Sequence, residues 1–124
     1  MSEPTRLTLI GYWDGPHTDN SWPAVESFVD SSWDAEERDD VAYYLSRGLV
    51  AVGFMGYSRC RFCGENNGNL ELSDGVFIWP EGLGHYLIEH GVRLPDEFVR
   101  HTYEMIEKLE TAERDVDWWR TFKT

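Results

Sequence analysis

Both cysteines of this 124-residue chain stand in one short run, Cys60-Arg61-Phe62-Cys63-Gly64. Thiols at that spacing serve as a redox couple, as a disulfide or as half of a metal centre. A redox couple needs its first thiol at a helix N-terminus, where the dipole favours the thiolate. Here the run continues Gly64-Glu65-Asn66-Asn67-Gly68-Asn69, among the least helical stretches of the chain. A disulfide suits an oxidising compartment, and the opening residues lack the basic-then-apolar layout of an export signal. The expected compartment is therefore a reducing cytoplasm, in which an inert thiol pair also stays open.

A structural zinc ion takes four ligands in a tetrahedron, often two from a tight turn and two from a helix. Gly64 after the second thiol leaves room for backbone N–H groups beside the sulfurs. After 21 intervening residues come His85 and His90, spaced H-x4-H. The expected zinc ligands are Cys60, Cys63, His85 and His90. Helix positions five apart point about 140° away from each other, so His90 reaches the metal only if the last turn loosens before Gly91. His101, one helix further on, is the rival for the fourth position. His17, in a Gly-Pro-His-Thr-Asp-Asn loop, reads as solvent-exposed.

The elements that must carry these ligands follow from periodicity and turn signals. Residues 6–13 read as a strand broken at Asp14-Gly15. Pro23 opens a short helix with Val25, Phe28 and Val29 on one side. Asp34 followed by Glu37 reads as a capping box, opening a helix that stops at Gly48. The apolar run 49–57 reads as a buried strand. Ser73-Asp74-Gly75 marks a hairpin, Pro80 starts the His85 helix, and Gly91 ends it. The longest helix spans 96–112, with Val99, Tyr103, Ile106 and Leu109 as its apolar stripe. Trp13, Trp33 and Trp79 read as half-buried core, whereas Trp118 and Trp119, adjacent on a helical tail, cannot both face inward. The expected fold is one α+β domain over 1–124: three or four antiparallel strands, helices on one face, and a knuckle–hairpin–helix unit at 58–91.

The order knuckle, hairpin, helix resembles the treble-clef type of zinc module, although treble clefs more often place the second ligand pair at the helix start. The run from C-R-x-C-G through N-G and E-L-x-D-G to W-P-E-G-L-x-H-Y also resembles a group of small bacterial proteins that share this pattern. That resemblance implies a common cytoplasmic bacterial fold and carries no reaction.

Charge narrows the function classes. With 23 acids against 11 bases the net charge is −12, and such a field repels phosphate backbones. No apolar run approaches the roughly 20 residues of a membrane span. The acids crowd into residues 14–40, whose only basic residue is Arg38. One reading is a solvated face. The sharper one is a docking surface for a basic protein, formed by Glu26, Asp30, Glu36, Glu37, Asp39 and Asp40. No H-E-x-x-H, nucleophile elbow or phosphate-binding glycine loop occurs, and no catalytic residue is assigned. The expected function is a non-catalytic, zinc-stabilised protein that binds another protein, of immunity or antitoxin type by composition. The alternative is a small zinc hydrolase with an open coordination site at Cys60, Cys63 and His85, and Glu81 or Glu89 as base. A third reading is a small-molecule sensor using a cleft between the hairpin and the C-terminal helices. Oligomeric state is not legible.

Overall fold

The computed structural model describes residues 3–15, 21–53 and 57–123. Its centre is the hairpin of β3 (Leu70–Ser73) and β4 (Phe77–Pro80), paired antiparallel in the register Leu72 opposite Trp79. The turn forms as the Asp-Gly signal predicts. Gly75 takes φ 92°, a left-handed value that costs a glycine little. The Asp74 carboxylate accepts from the Val76 and Phe77 N–H groups at 2.9 and 2.8 Å.

Two further strands complete a sheet of order β1-β4-β3-β2, with β1 at Thr8–Leu9 and β2 at Leu49–Gly53. The expected all-antiparallel sheet is corrected to a mixed one, since β1 runs parallel to β4. No tight turn joins those two strands; two helices and two strands lie between them, so the connection is free to cross over. Only two residues of the 6–13 segment pair as strand.

A larger correction concerns β2. It is an edge strand rather than a buried one, and all five residues are exposed, Leu49 at 78%. Among the described residues nothing covers its apolar side chains at that edge of the sheet. A register shift between Val50 and Val52 bulges the strand at Ala51, a common device at sheet edges. The rest of the 49–57 run includes 54–56, which lie outside the described residues.

The helices cover one face of the sheet. α1 (Ala35–Ser46) starts as expected, with Glu37 N–H donating to Asp34 Oδ2 at 3.0 Å. The reverse arm of the capping box does not form, because the Glu37 carboxylate accepts from Trp33 Nε1 instead, at 2.7 Å. α1 presents Val41 and Leu45 inward. α2 (Leu83–His90) adds Leu83, Tyr86 and Leu87, and α3 (Asp96–Glu110) adds Phe98, Val99 and Thr102. Trp79 is fully buried among them, its indole N–H donating to Leu45 O at 3.0 Å and its ring 5.9 Å from Phe98. Trp13 and Trp33 are buried as well, not half-exposed.

The α3 stripe is buried only near its start: Val99 is inside, Tyr103 is exposed and Leu109 is 75% exposed. The helix runs on past the end of the core. The segment 23–33 forms a single 3₁₀ turn, Val25–Phe28, and Val29 leaves the helix to bridge to Val92. α4 (Asp117–Arg120) exposes both Trp118 and Trp119. Among the described residues no helix is long and apolar enough to cross a membrane.

Candidate metal centre

The knuckle is a closed miniature of β-structure. Arg59 and Asn66 bridge antiparallel, with Cys60 N–H donating to Glu65 O at 2.9 Å and Gly64 N–H returning to Cys60 O at 2.9 Å. Gly64 has φ 71°, which lets the chain reverse within these few residues. The Phe62 N–H donates to Cys60 Sγ at 3.4 Å, the kind of backbone contact a thiolate ligand requires. Neither thiol is in a disulfide, and Cys60 is buried while Cys63 is exposed.

α2 brings the imidazoles to this turn. His85 sits in the first turn of the helix and His90 is its last residue. Gly91, at φ 66°, donates its N–H to Tyr86 O, five residues back, and Val92 N–H reaches the same carbonyl at 3.1 Å. A regular α-turn closes four residues back, so the final turn is widened, which is what lets His90 turn toward His85. Their ring centroids are 5.0 Å apart. Phe62 stacks on His90 at 4.8 Å, and the Tyr86 hydroxyl accepts from Arg61 N–H at 2.9 Å. These two contacts tie knuckle to helix. Burial raises the Tyr86 phenol above its ordinary pKa, so it stays a neutral hydroxyl there.

One ligand atom each from Cys60, Cys63, His85 and His90 lies within 4.8 Å of all the others. Cys63 Sγ and His85 Nε2 are 3.4 Å apart. Tetrahedral zinc ligands at about 2.0–2.3 Å from the ion stand about 3.3–3.8 Å from one another, so a small closure would complete the geometry. His90 Nε2 is buried and has no hydrogen-bond partner among the described residues, a costly state for a polar atom unless a ligand satisfies it. These four side chains could hold a metal ion. The Cys63 thiol stands above its ordinary pKa: the Glu65 backbone contact favours the thiolate, but desolvation and the adjacent Cys60 outweigh it. A cation that holds both sulfurs as thiolates therefore displaces protons.

His101 is placed elsewhere. Its Nε2 is 2.6 Å from Asp74 Oδ2, and Tyr44 donates its hydroxyl to the same oxygen. Burial works to raise the Asp74 carboxyl, but hydrogen bonds from Tyr44, Phe77, His101 and Val76 hold it below the ordinary carboxylate range. This half-buried network clamps the hairpin tip to α1 and α3. Sequence reasoning missed it, reading the Asp-Gly turn only as a hairpin signal and His101 only as a rival metal ligand. His17 lies outside the described residues.

Of the two carboxylates named as possible bases, Glu81 accepts from the Asn69 and Leu70 N–H groups at 2.6 and 3.2 Å, capping the hairpin backbone, and Glu89 is exposed on α2.

The acidic region also divides. Asp30 bridges to Arg93 at 3.0 Å and binds the Ser32 N–H. Hydrogen bonds from the Ser32 hydroxyl first, then from Arg93 and the Ser32 N–H, lower its pKa. Asp40 accepts from Tyr103, Asp39 pairs with Arg38, and Glu37 holds Trp33. Glu26 and Glu36 are exposed, with no ion pair among the described residues. No protein-family model matches the chain, and no curated protein or solved structure matches it either.

Proposed function

We propose that this chain is a non-catalytic, zinc-stabilised cytoplasmic domain that acts by binding another protein with a basic surface, in the manner of an immunity or antitoxin-type inhibitor. The observation that carries the metal half is the convergence of one ligand atom each from Cys60, Cys63, His85 and His90 to within 4.8 Å of one another. Four protein ligands make a closed set, the mark of structural rather than catalytic zinc. Two thiolates and two imidazoles suit zinc over magnesium or calcium, which prefer oxygen. The ion would tie the knuckle to α2, and no water-activation step is assigned to it.

The binding half is supported by the net charge of −12 and by an exposed acidic stretch around Glu26 and Glu36. Trp118, Trp119 and Phe122 add an exposed aromatic group, at 70, 71 and 50% exposure, on the C-terminal turn. Such residues are costly to leave in water and dominate protein interfaces.

The test is metal analysis of untagged protein, followed by capture from native cytoplasm. One zinc per chain and basic proteins retained by the wild type, but not by Glu26→Lys/Glu36→Lys with its zinc intact, support the reading. A chain that folds without zinc, or retains the same proteins after charge reversal, overturns the corresponding half.

A further inference from the structure

Between β1, the knuckle and the start of α2 lies a cleft of two adjoining lobes, of about 150 and 260 Å³. Gly11, Tyr12, Trp13 and Trp22 line both lobes. Together the lobes fall in the lower part of the about 300–1,000 Å³ typical of small-molecule sites. The cleft is not the one expected between the hairpin and the C-terminal helices.

Its walls are flat and apolar. The Tyr12 and Trp22 rings lie 5.7 Å apart, tilted by 35°, and the Tyr12 hydroxyl donates to Glu71, which fixes that ring. Trp13 packs against Phe28 at 5.2 Å and Tyr86 at 6.0 Å. Gly11 has φ 82°, and a Cβ there would meet Leu83 at 2.5 Å, so the floor admits no side chain of its own.

The polar groups are unbalanced toward donors. Among the described residues no acid lines either lobe, and a single cation does, Arg61. Arg61 donates Nε to Asp14 O at 3.3 Å and Nη1 to Arg59 O at 2.9 Å, leaving Nη2 without an acceptor among the described residues. In a chain of charge −12, a cleft whose described lining holds one guanidinium and no carboxylate is complementary to an acceptor.

We infer that this cleft binds a planar aromatic carboxylate, its ring against Tyr12, Trp13 and Trp22 and its carboxylate on Arg61. The aromatic walls select a flat apolar body, and guanidinium matches carboxylate geometry. A doubly charged phosphate is the poorer fit, because a single cation must offset it within a strongly negative field. The site is distinct from the acidic face and borders the metal cluster, since Arg61 stands between Cys60 and Cys63.

The probe is 2-naphthoate, with uncharged 2-naphthamide as its counterpart, titrated into the full zinc-loaded chain by calorimetry and tryptophan fluorescence. Naphthoate should bind about tenfold more tightly than the amide, the scale of one charge-assisted hydrogen bond. Arg61→Gln should erase that preference with zinc content unchanged. Trp22→Ala, at an exposed position, should weaken both ligands. No saturation by naphthoate at millimolar concentration, equal affinity for acid and amide, or affinity indifferent to Arg61→Gln and Trp22→Ala would overturn the inference.

Discussion

Cys60 and Cys63 belong to one cluster but meet different solvents, the first buried and the second exposed. Replacing Cys60 by Ser leaves a buried hydroxyl where a thiolate is wanted, and removes a ligand. Because zinc binding free energy is folding free energy, Cys60→Ser should lose the metal and destabilise the fold by several kcal/mol, read by metal content and urea midpoint together. His101→Ala should behave oppositely in the first readout: zinc stays, while stability falls through Asp74. The Asp74 carboxyl itself carries a pH signature. Its folded pKa lies below its ordinary value, so its stabilising contribution is complete above about pH 4, the unfolded value, and disappears as pH falls through the folded pKa. The urea midpoint of the wild type should therefore fall more steeply below about pH 4 than that of Asp74→Asn, which has no such charge to lose. Equal slopes would remove Asp74 from acid sensitivity. The four clustered side chains were legible because soft ligands at short spacing have few other uses. The Asp74–His101 pair was not, since it joins a turn to a helix 27 residues away and nothing local marks it.

At the scale of elements, what could be read from sequence is what neighbouring residues decide. Asp34 as a cap, the Asp-Gly hairpin, Gly91 as a helix stop and the length of α3 are all local choices of backbone conformation. What could not be read is which apolar residues find cover. β2 and β4 are both apolar, yet Trp79 on the inner strand is fully buried and Leu49 at the edge is 78% exposed. Burial there depends on strand order, and strand order depends on the crossover of β1. The same limit applies to Leu109, whose helical phase with Val99 is correct but whose position lies beyond the core. A contrast of two leucines tests this assignment. Leu72→Ala, beneath the helices, should cost about 2–5 kcal/mol. Leu49→Lys should change stability by no more than about 0.5 kcal/mol, and should reduce any concentration-dependent association, because a lysine blunts an exposed strand edge. A large loss of stability at Leu49→Lys would mean that β2 is covered after all.

At the scale of the whole molecule the dominant fact is charge, and the structure refines where it is available. Asp30, Glu37 and Asp40 each accept hydrogen bonds that fix local structure, so reversing them would disturb folding and confuse any binding result. Glu26 and Glu36 are exposed and carry no such duty among the described residues. Each Glu→Lys change adds two charges, so Glu26→Lys/Glu36→Lys moves the formal charge from −12 to −8, leaving a strongly acidic chain with only its local field altered. Fields at the surface extend about 8 Å at physiological salt and about 30 Å at a tenfold to twentyfold lower concentration. For a basic partner, association by the wild type should therefore quicken markedly as salt is lowered, while the dissociation rate changes little. The double variant should show a lower association rate and a shallower dependence on salt, with zinc content and thermal midpoint near those of the wild type. Stopped-flow measurement against the captured partner reads both rates. If the salt dependence is identical in the two proteins, the steering charge lies elsewhere on the molecule, and the stretch around Glu26 and Glu36 is only solvated surface.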